Sequence, residues 1–519
     1  MSLRARGQNR SGAFSGHKAG QAVIDIGSNT VRLVIFGGAP RAPTVLFNEK
    51  VVARLGHDIA ETGLLAEDAM EMALSGLARY ALLLRDLGIR DVNVVATAAV
   101  RNSRNGIAFL DQVSALGLSP RLLSGEEEAR ISAMGVVGAF PGLDAVVADL
   151  GGGSIEFTRI TDGTCEAGAS LPLGTLRLHE MRQGKNGARS VSDMSRTIQT
   201  MLEEAGWADP VMAPICLVGG AWRAMAVYAM TQRDWPLSDP HGYEMSRKDA
   251  VALAKDLSSK DAQELRKIPR ISSMRASQLA DTAILLQAML ECQQPDRLII
   301  SAWGLREGLL FDRLDPVEKR QDPLLSAMSL FATQRGASPS FVTRVAGWTV
   351  GALPPNGTGT ERLRLAATML ALASMQVEPN LRLHQAAEWA MQKRWVGLEP
   401  DERAMIAMTV RANGNDLSIP EEFERIASRE QLDEAMSWGL AIRLCRRLGG
   451  QSRRSLEVSR LQVEDARLVL ELEESHAALY GVPTRKDMRL LSRALGLEPE
   501  LRIIMDGEAE SECVSAIKA

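Results

Sequence analysis

The chain has 519 residues, of which 45% are hydrophobic and 24% are charged, and its formal net charge is −4. This length is too great for one hydrophobic core and predicts about three or four domains of a globular protein. The slight acidic balance argues against a general nucleic-acid binder, and the absence of a run of about 18 apolar residues argues against a membrane span.

Two features of the sequence predict the cellular compartment of the protein. Residues 1–19 are rich in Gly, Ser and Arg and contain no apolar segment, so we expect a disordered basic leader and not a signal peptide. Five widely spaced cysteines without a CxxC pair are typical of reduced thiols. Both features predict a cytoplasmic protein.

Strand and helix patterns alternate from residue 20 to about residue 315. The predicted strands are 22–26, 31–36, 92–97, 145–150, 155–160, 166–172, a strand from Ile215, and 297–301. The predicted helices are 67–87, 107–116, a helix from Gly125 to about Phe140, 191–205, 276–291, and a last one after Trp303. A β-hairpin opens each half of this region, which predicts a duplicated α/β fold.

The two hairpins carry nearly the same turn. Val23-Ile-Asp-Ile-Gly-Ser-Asn-Thr-Val31 and Val147-Ala-Asp-Leu-Gly-Gly-Gly-Ser-Ile155 each lead a strand into an acid and then into small residues. Small residues allow backbone N–H groups to approach a phosphate, and an aspartate suits a hard cation such as Mg²⁺. Two such loops facing each other would hold a phosphate chain from both sides.

The pattern changes near residue 315. Helical periodicity continues to about residue 450, followed by strand patterns at 453–461 and 466–472, a helix at 484–495 and a strand at 501–505. We therefore expect a helical domain and then a small α+β module.

Five motifs carry a resemblance to a known family. In chain order they are Asp25-Ile-Gly-Ser-Asn-Thr, Ala96-Thr-Ala-Ala-Val-Arg101, Ser124-Gly-Glu-Glu-Glu-Ala-Arg130, Asp149-Leu-Gly-Gly-Gly-Ser-Ile-Glu156 and Gly304-Leu-Arg-Glu-Gly308. Together they resemble the exopolyphosphatase/guanosine pentaphosphate phosphohydrolase (Ppx/GppA) phosphatase family of the actin-like ATPase superfamily.

The resemblance implies five segments. They are a basic leader (1–19), actin-like (ribonuclease H-like) lobe I (20–144), lobe II (145–315), a helical HD-like domain (316–450) and a small α+β C-terminal module (451–519). In the helical domain, Ala367-Thr-Met-Leu-Ala371-Leu372 stands where the family has metal-binding His and acidic residues. We therefore expect this domain to lack a metal centre, and we expect His384 to be structural.

The resemblance also implies roles for individual residues. Glu128 would orient or deprotonate the attacking water, Arg101 would neutralise charge on the transferred phosphoryl group, and Glu156 would tune the metal or the water. Asp25 and Asp149 would hold Mg²⁺ or another divalent cation. The phosphate-binding residues would be Gly27, Ser28, Asn29, Thr30, Gly151, Gly152, Gly153 and Ser154.

Each role has a structural alternative. Acids at 126–128 also suit the first turn of a helix, where Glu127 is placed to form a capping box with Ser124. The two aspartates could cap turns, and Arg101 could be a solvated loop residue.

The resemblance implies an exopolyphosphatase that removes the terminal phosphate of inorganic polyphosphate, with hydrolysis of guanosine pentaphosphate (pppGpp) as the alternative. An ATP-dependent kinase and a non-catalytic polyphosphate or alarmone sensor are further hypotheses. A homodimer is expected by resemblance, with neither a nucleic-acid nor a membrane partner.

Overall fold

A computed structural model describes residues 20–183, 190–353 and 357–507 of the chain. They form two compact units, which divide between Pro323 and Leu324. The predicted leader at 1–19 lies outside the described residues. The finer division into lobes, helical domain and C-terminal module stays a prediction.

The first unit contains two sheets. The strands of the first sheet are β1 (Gln21–Ile26), β2 (Val31–Ala39), β3 (Ala42–Val51), β4 (Asp91–Ala96) and β5 (Pro120–Leu122). The strands of the second sheet are β6 (Ala145–Leu150), β7 (Ile155–Thr161), β8 (Thr164–Cys165), β9 (Ala169–Leu171), β10 (Ile215–Val218), β11 (Glu244–Ser246) and β12 (Arg297–Ser301).

The two sheets share one topology. The first has the order β3-β2-β1-β4-β5, and the second has the order β11-β12-β10-β6-β7-β8, with β9 also paired to β7. In each, the opening hairpin is antiparallel (β1 with β2, β6 with β7) and the next strands join in parallel (β4 beside β1, β10 beside β6). This repetition confirms the predicted duplicated α/β fold.

The central strands are apolar on both faces. Ala22, Ile24 and Ile26 of β1 belong to one buried cluster, whereas Val23 faces another that contains Leu309. Burial on both sides explains the continuous apolar runs that predict these strands.

The helices of the first unit surround the sheets. They are α1 (Ile59–Thr62), α2 (Glu67–Leu87), α3 (Ala98–Arg101), α4 (Gly106–Ala115), α5 (Gly125–Ala139), α6 (Thr175–Gln183), α7 (Val191–Glu204), α8 (Gly220–Gln232), α9 (Arg247–Ser258), α10 (Ala262–Leu265), α11 (Ser273–Gln293), α12 (Leu305–Asp312) and α13 (Pro316–Arg320). Local signals fixed several ends. Gly88 caps α2 in the left-handed conformation, and Ser124 and Glu127 form the predicted capping box of α5.

The second unit is mainly helical. Its helices are α14 (Pro323–Thr333), which begins at the last residue of the first unit, α15 (Pro339–Val350), α16 (Glu361–Ala373), α17 (Arg382–Met391), α18 (Pro400–Asn413), α19 (Glu421–Glu424), α20 (Arg429–Gly449), α21 (Arg453–Glu457) and α22 (Val482–Leu495). Two short 3-10 helices lie at Ser374–Gln376 and Glu474–Leu479.

A three-stranded sheet follows in the order β13 (Ser459–Glu464), β14 (Arg467–Glu473), β15 (Glu498–Ile504). The predicted strand at 453–461 was wrong in its first half, because Arg453–Glu457 is helical. Among the described residues, no helix is both long and apolar enough to cross a membrane.

Candidate active site

The two predicted phosphate loops have the same local geometry. The Gly27 N–H donates to the Thr30 carbonyl at 3.1 Å, and the Gly151 N–H donates to the Ser154 carbonyl at 2.9 Å. The hairpin registers are also equivalent, because Asp25 lies opposite Arg32 on β2 and Asp149 lies opposite Glu156 on β7. The sequence repeat is therefore a repeat of backbone conformation.

The loops touch each other. A Cβ added to Gly152 would lie 3.1 Å from the Cβ of Ser28, and one added to Gly153 would lie 2.7 Å from the Ser28 Oγ. Side chains at these glycines would therefore push the loops apart. Glycine is required here for close approach of two backbones, not for a positive φ.

One cavity of about 160 Å³ brings both loops together. Apart from Arg101, every residue predicted to be catalytic, metal-binding or phosphate-binding lines it: Asp25, Gly27, Ser28, Asn29, Thr30, Glu128, Asp149, Gly151, Gly152, Gly153, Ser154 and Glu156. Arg101 does not line the cavity itself, but it donates a hydrogen bond to the lining residue Glu128.

Five acids line this small volume: the four predicted site residues Asp25, Glu128, Asp149 and Glu156, and Glu307, which accepts a hydrogen bond from the Gly304 N–H. Glu128 is 8% exposed and Glu156 is 2% exposed. Asp25 and Asp149 are enclosed by protein but retain some exposure to the cavity.

Burial raises the pKa of the four predicted acids, and the charges of neighbouring acids act in the same direction. For Glu128 the result is a pKa of about 7. Clustered and desolvated carboxylates favour the arrival of a cation or a proton.

The Arg101 side chain pairs with Glu128. Its Nη1 donates to the Glu128 Oε2 at 2.9 Å and to the Leu123 carbonyl at 2.9 Å. Both side chains of the ion pair are largely buried. The Arg101 charge opposes the effect of burial and lowers the pKa of Glu128. In this structure the arginine therefore holds the acid in place and opposes its protonation.

Ser170, on β9, lies between Glu156 and Arg101 and contacts both, an arrangement that the sequence did not suggest. Its hydroxyl donates to the Glu156 Oε1 at 2.7 Å, and the Arg101 Nη2 approaches the same hydroxyl at 3.5 Å. Asp149 accepts a short hydrogen bond from the Ser132 hydroxyl on α5. Helix α5 thus supplies both Glu128 and a partner for Asp149.

Four arginines also line the cavity, and sequence reasoning assigned them no role: Arg32, Arg223, Arg275 and Arg306. Burial lowers the pKa of Arg275 to about 10, with the nearby Arg32 charge acting in the same direction. Clustered cations of this kind favour a bound polyanion. The sequence could have indicated a role for Arg32, because an alignment of the two hairpins places Arg32 at the position that Glu156 occupies in the second hairpin.

The donor set fits a hard divalent cation. Asp25 and Asp149 offer carboxylate oxygens beside loops suited to phosphate, and Mg²⁺ is usually held by one or two carboxylates together with substrate phosphates. In the part of the chain that the structure describes, no group of three or more His, Cys, Asp or Glu side chains is placed to hold a metal ion.

The sequence of the first unit matches a family model. The model described as the Ppx/GppA phosphatase family matches residues 34–316. The chain belongs to this family. The membership confirms the expected resemblance, the actin-like fold of the first unit and the prediction of a phosphoanhydride hydrolase.

Two relatives of this Ppx/GppA chain are named for different functions, one as an enzyme and one as a regulatory protein. Exopolyphosphatase 1 of Mycobacterium leprae is 28% identical over 313 residues, which cover 56% of this chain and 89% of that protein. Retrograde regulation protein 2 of Saccharomyces cerevisiae is 27% identical over 448 residues, which cover 78% of this chain and 74% of that protein.

A solved structure supports the fold. The exopolyphosphatase from Cytophaga hutchinsonii has a TM-score of 0.50 at 22% identity, covering 57% of this chain and 98% of that chain. At this identity the likeness describes the architecture alone. The helical second unit is observed directly, but its assignment as an HD-like domain stays a prediction.

Proposed function

We propose that the protein is an exopolyphosphatase, which hydrolyses the terminal phosphoanhydride of inorganic polyphosphate and releases orthophosphate. The observation that carries this proposal is the meeting of two phosphate loops, five acids and four arginines around one cavity. The exopolyphosphatase relative from M. leprae, aligned over 89% of its length, supports the choice of substrate.

The terminal phosphate would lie between the loops. Backbone N–H groups at 27–30 and 151–154 would bind its oxygens, and the arginines of the cavity would balance the charge of the chain. Phosphoryl transfer requires mainly positioning and charge neutralisation, which this arrangement supplies.

Glu128 is proposed to orient a water molecule and to take its proton. The water oxygen forms a bond to the terminal phosphorus, the bridging P–O bond breaks, and the shortened chain leaves with the bonding electrons. Arg101 would keep Glu128 ionised and correctly aimed, and Glu156 would restrain the same region through Ser170. Mg²⁺ or another divalent cation, held by Asp25 and Asp149, would supply charge neutralisation on the phosphate oxygens.

The remaining features are also proposals. The helical part of the second unit would be an HD-like domain without its metal centre, because residues 367–372 are apolar or small. A homodimer in the cytoplasm is expected from the resemblance and from the separated cysteines.

Substrate selection can be tested directly. Phosphate release would be measured with Mg²⁺ on long-chain polyphosphate, tripolyphosphate, pppGpp and ATP. We expect the fastest release from polyphosphate. Preferential conversion of pppGpp would favour the alternative substrate, and preference for ATP would favour an ATPase.

The Glu128→Gln variant separates an enzyme from a sensor. We expect it to bind polyphosphate like the wild type and to release phosphate about 100-fold or more slowly. Wild-type release by Glu128→Gln would refute the mechanism. Binding without release by the wild type would support a sensor, a reading consistent with the name of the yeast relative.

A further inference from the structure

The second unit contains a cavity of about 460 Å³ that is lined by arginines. We call it the arginine cavity, and its lining residues are Met375, Arg382, Val410, Asn413, Gly414, Arg443, Arg446 and Arg447. It lies entirely within the second unit, between the ends of α17, α18 and α20. A volume of this size is within the range of small-molecule sites.

The arginine cavity carries unbalanced positive charge. Its four guanidinium groups have one carboxylate beside them, the buried Asp487 of α22. Arg443 donates to one oxygen of Asp487 at 3.0 Å, and Arg447 donates to the other at 3.1 Å. Both oxygens are therefore engaged, and three positive charges stay uncompensated among the groups described at this site.

Arg446, like Arg382, has no acidic partner among the hydrogen bonds of the described residues. Its Nη1 donates to the side-chain oxygen of Asn413 at 2.7 Å, a neutral partner. Burial, together with the charges of Arg382, Arg443 and Arg447, lowers the pKa of Arg446 to about 10. Holding these cations together costs free energy in the empty protein, which a bound anion would recover.

The donors exclude a metal ion. Guanidinium groups have no lone pair to offer a metal, but they donate in a planar fork that matches phosphate oxygens. The site adjoins Ala371, whose carbonyl accepts a 3.5 Å hydrogen bond from Asn413. The arginine cavity therefore lies beside residues 367–372, the segment in which the resemblance implies that metal-binding residues are missing.

The lining also restricts the class of anion. The volume exceeds that of one phosphate, and the charge calls for a ligand with several negative charges. None of the described residues that line the cavity is aromatic, so no ring is available to stack on a nucleobase. The contacts therefore favour phosphate groups over a base.

We propose that the arginine cavity binds a compact anion that carries several linked phosphate groups. This site is additional to the cleft of the first unit and does not depend on the proposed hydrolase activity. The phosphates could belong to an inorganic chain or to a nucleotide, and binding assays can distinguish these sources.

The test is calorimetric titration of the full-length protein at low salt with EDTA. Tripolyphosphate, long-chain polyphosphate, ATP and pppGpp would be the ligands. We expect the wild type to bind one more equivalent of tripolyphosphate than Arg446→Gln does, or to bind it about tenfold more tightly. Tighter binding of either nucleotide than of tripolyphosphate at this site would identify a nucleotide as the source.

Two further variants keep the result interpretable. Arg429→Gln removes an exposed charge from the same helix, where Arg429 pairs with Asp433, and we expect it to bind like the wild type. Arg447→Gln leaves Asp487 paired with Arg443 and replaces Arg446→Gln if that variant does not fold.

Thermal unfolding separates a binding role from a structural one. Ligand-free Arg446→Gln should unfold at the wild-type temperature or above, because it removes repulsion among like charges. Unchanged stoichiometry and affinity in a folded Arg446→Gln or Arg447→Gln would overturn the proposal. An equal loss of binding in Arg429→Gln would also overturn it, since only general charge would then matter.

Discussion

Replacing Arg101 with glutamine tests which partner this arginine serves. The family resemblance implies that its charge acts on the transferred phosphoryl group, whereas the structure pairs it with Glu128 at 2.9 Å. Glutamine keeps a hydrogen-bond donor near Glu128 but removes the charge. These two roles predict different dependence on pH.

The magnitude follows from the geometry. Coulomb's law gives about 6 kcal/mol for unit charges 2.9 Å apart at an effective dielectric constant of about 20. Desolvation offsets part of this, and a neighbouring arginine typically changes the proton affinity of a carboxylate by about 10- to 1,000-fold. Since the pKa of Glu128 is about 7 even with the Arg101 charge lowering it, Arg101→Gln should leave this acid mostly protonated at neutral pH.

The assay is phosphate release from polyphosphate as a function of pH. A protonated Glu128 cannot take a proton from water, so kcat of Arg101→Gln should fall about 10- to 1,000-fold near pH 7 and recover as pH rises. Glu128→Gln is the control, because it has no ionisable group at this position and should not recover. An equal loss for Arg101→Gln at every pH would refute the reasoning and place the arginine on the phosphoryl group.

Three further predictions follow from the same cleft and its supports. Burial raises the pKa of Asp25, Glu128, Asp149 and Glu156, so the folded state binds extra protons. The thermal midpoint in EDTA should therefore fall as pH rises from about 5 to about 8, and Mg²⁺ should reverse the fall; a flat profile would contradict this. Ser170→Ala removes the 2.7 Å bond to Glu156 and should lower kcat by about 3- to 10-fold, whereas wild-type kcat would exclude a positioning role. A Cβ at Gly308 would overlap the Ile131 carbonyl, so Gly308→Ala should cost about 1–3 kcal/mol or more in chemical denaturation; Gly347→Ala, with open space around it, is the stable control.

Much of the fold of the first unit is encoded locally. Helix α2 was predicted with its observed ends, Glu67 and Leu87, because Gly88 is a strong termination signal. The capping residues of α5 and the apolar run of β6 were equally direct. At Arg453–Glu457 the same reasoning failed, because a short segment of mixed charge carries little periodicity and its tertiary contacts decide its conformation.

The candidate site could likewise be predicted only in part from the sequence. The duplicated Asp-Φ-Gly turns could be recognised in the sequence, because close backbone approach to phosphate demands small residues in a short segment. The resemblance, and not the spacing, singled out Glu128. Neither showed that Arg101 contacts Glu128, or that Ser170 reaches Glu156.

The sequence by itself thus determined the duplicated hairpins, the phosphate-loop composition and the ends of several helices, since these depend on neighbours a few residues apart. Only the tertiary structure decided which charges meet. Arg32, Arg275 and Arg306 come from separate elements, and Asp487 of α22 meets Arg443 and Arg447 of α20. Their proximity depends on how strands and helices pack, and packing is a property of the whole unit that no local pattern specifies.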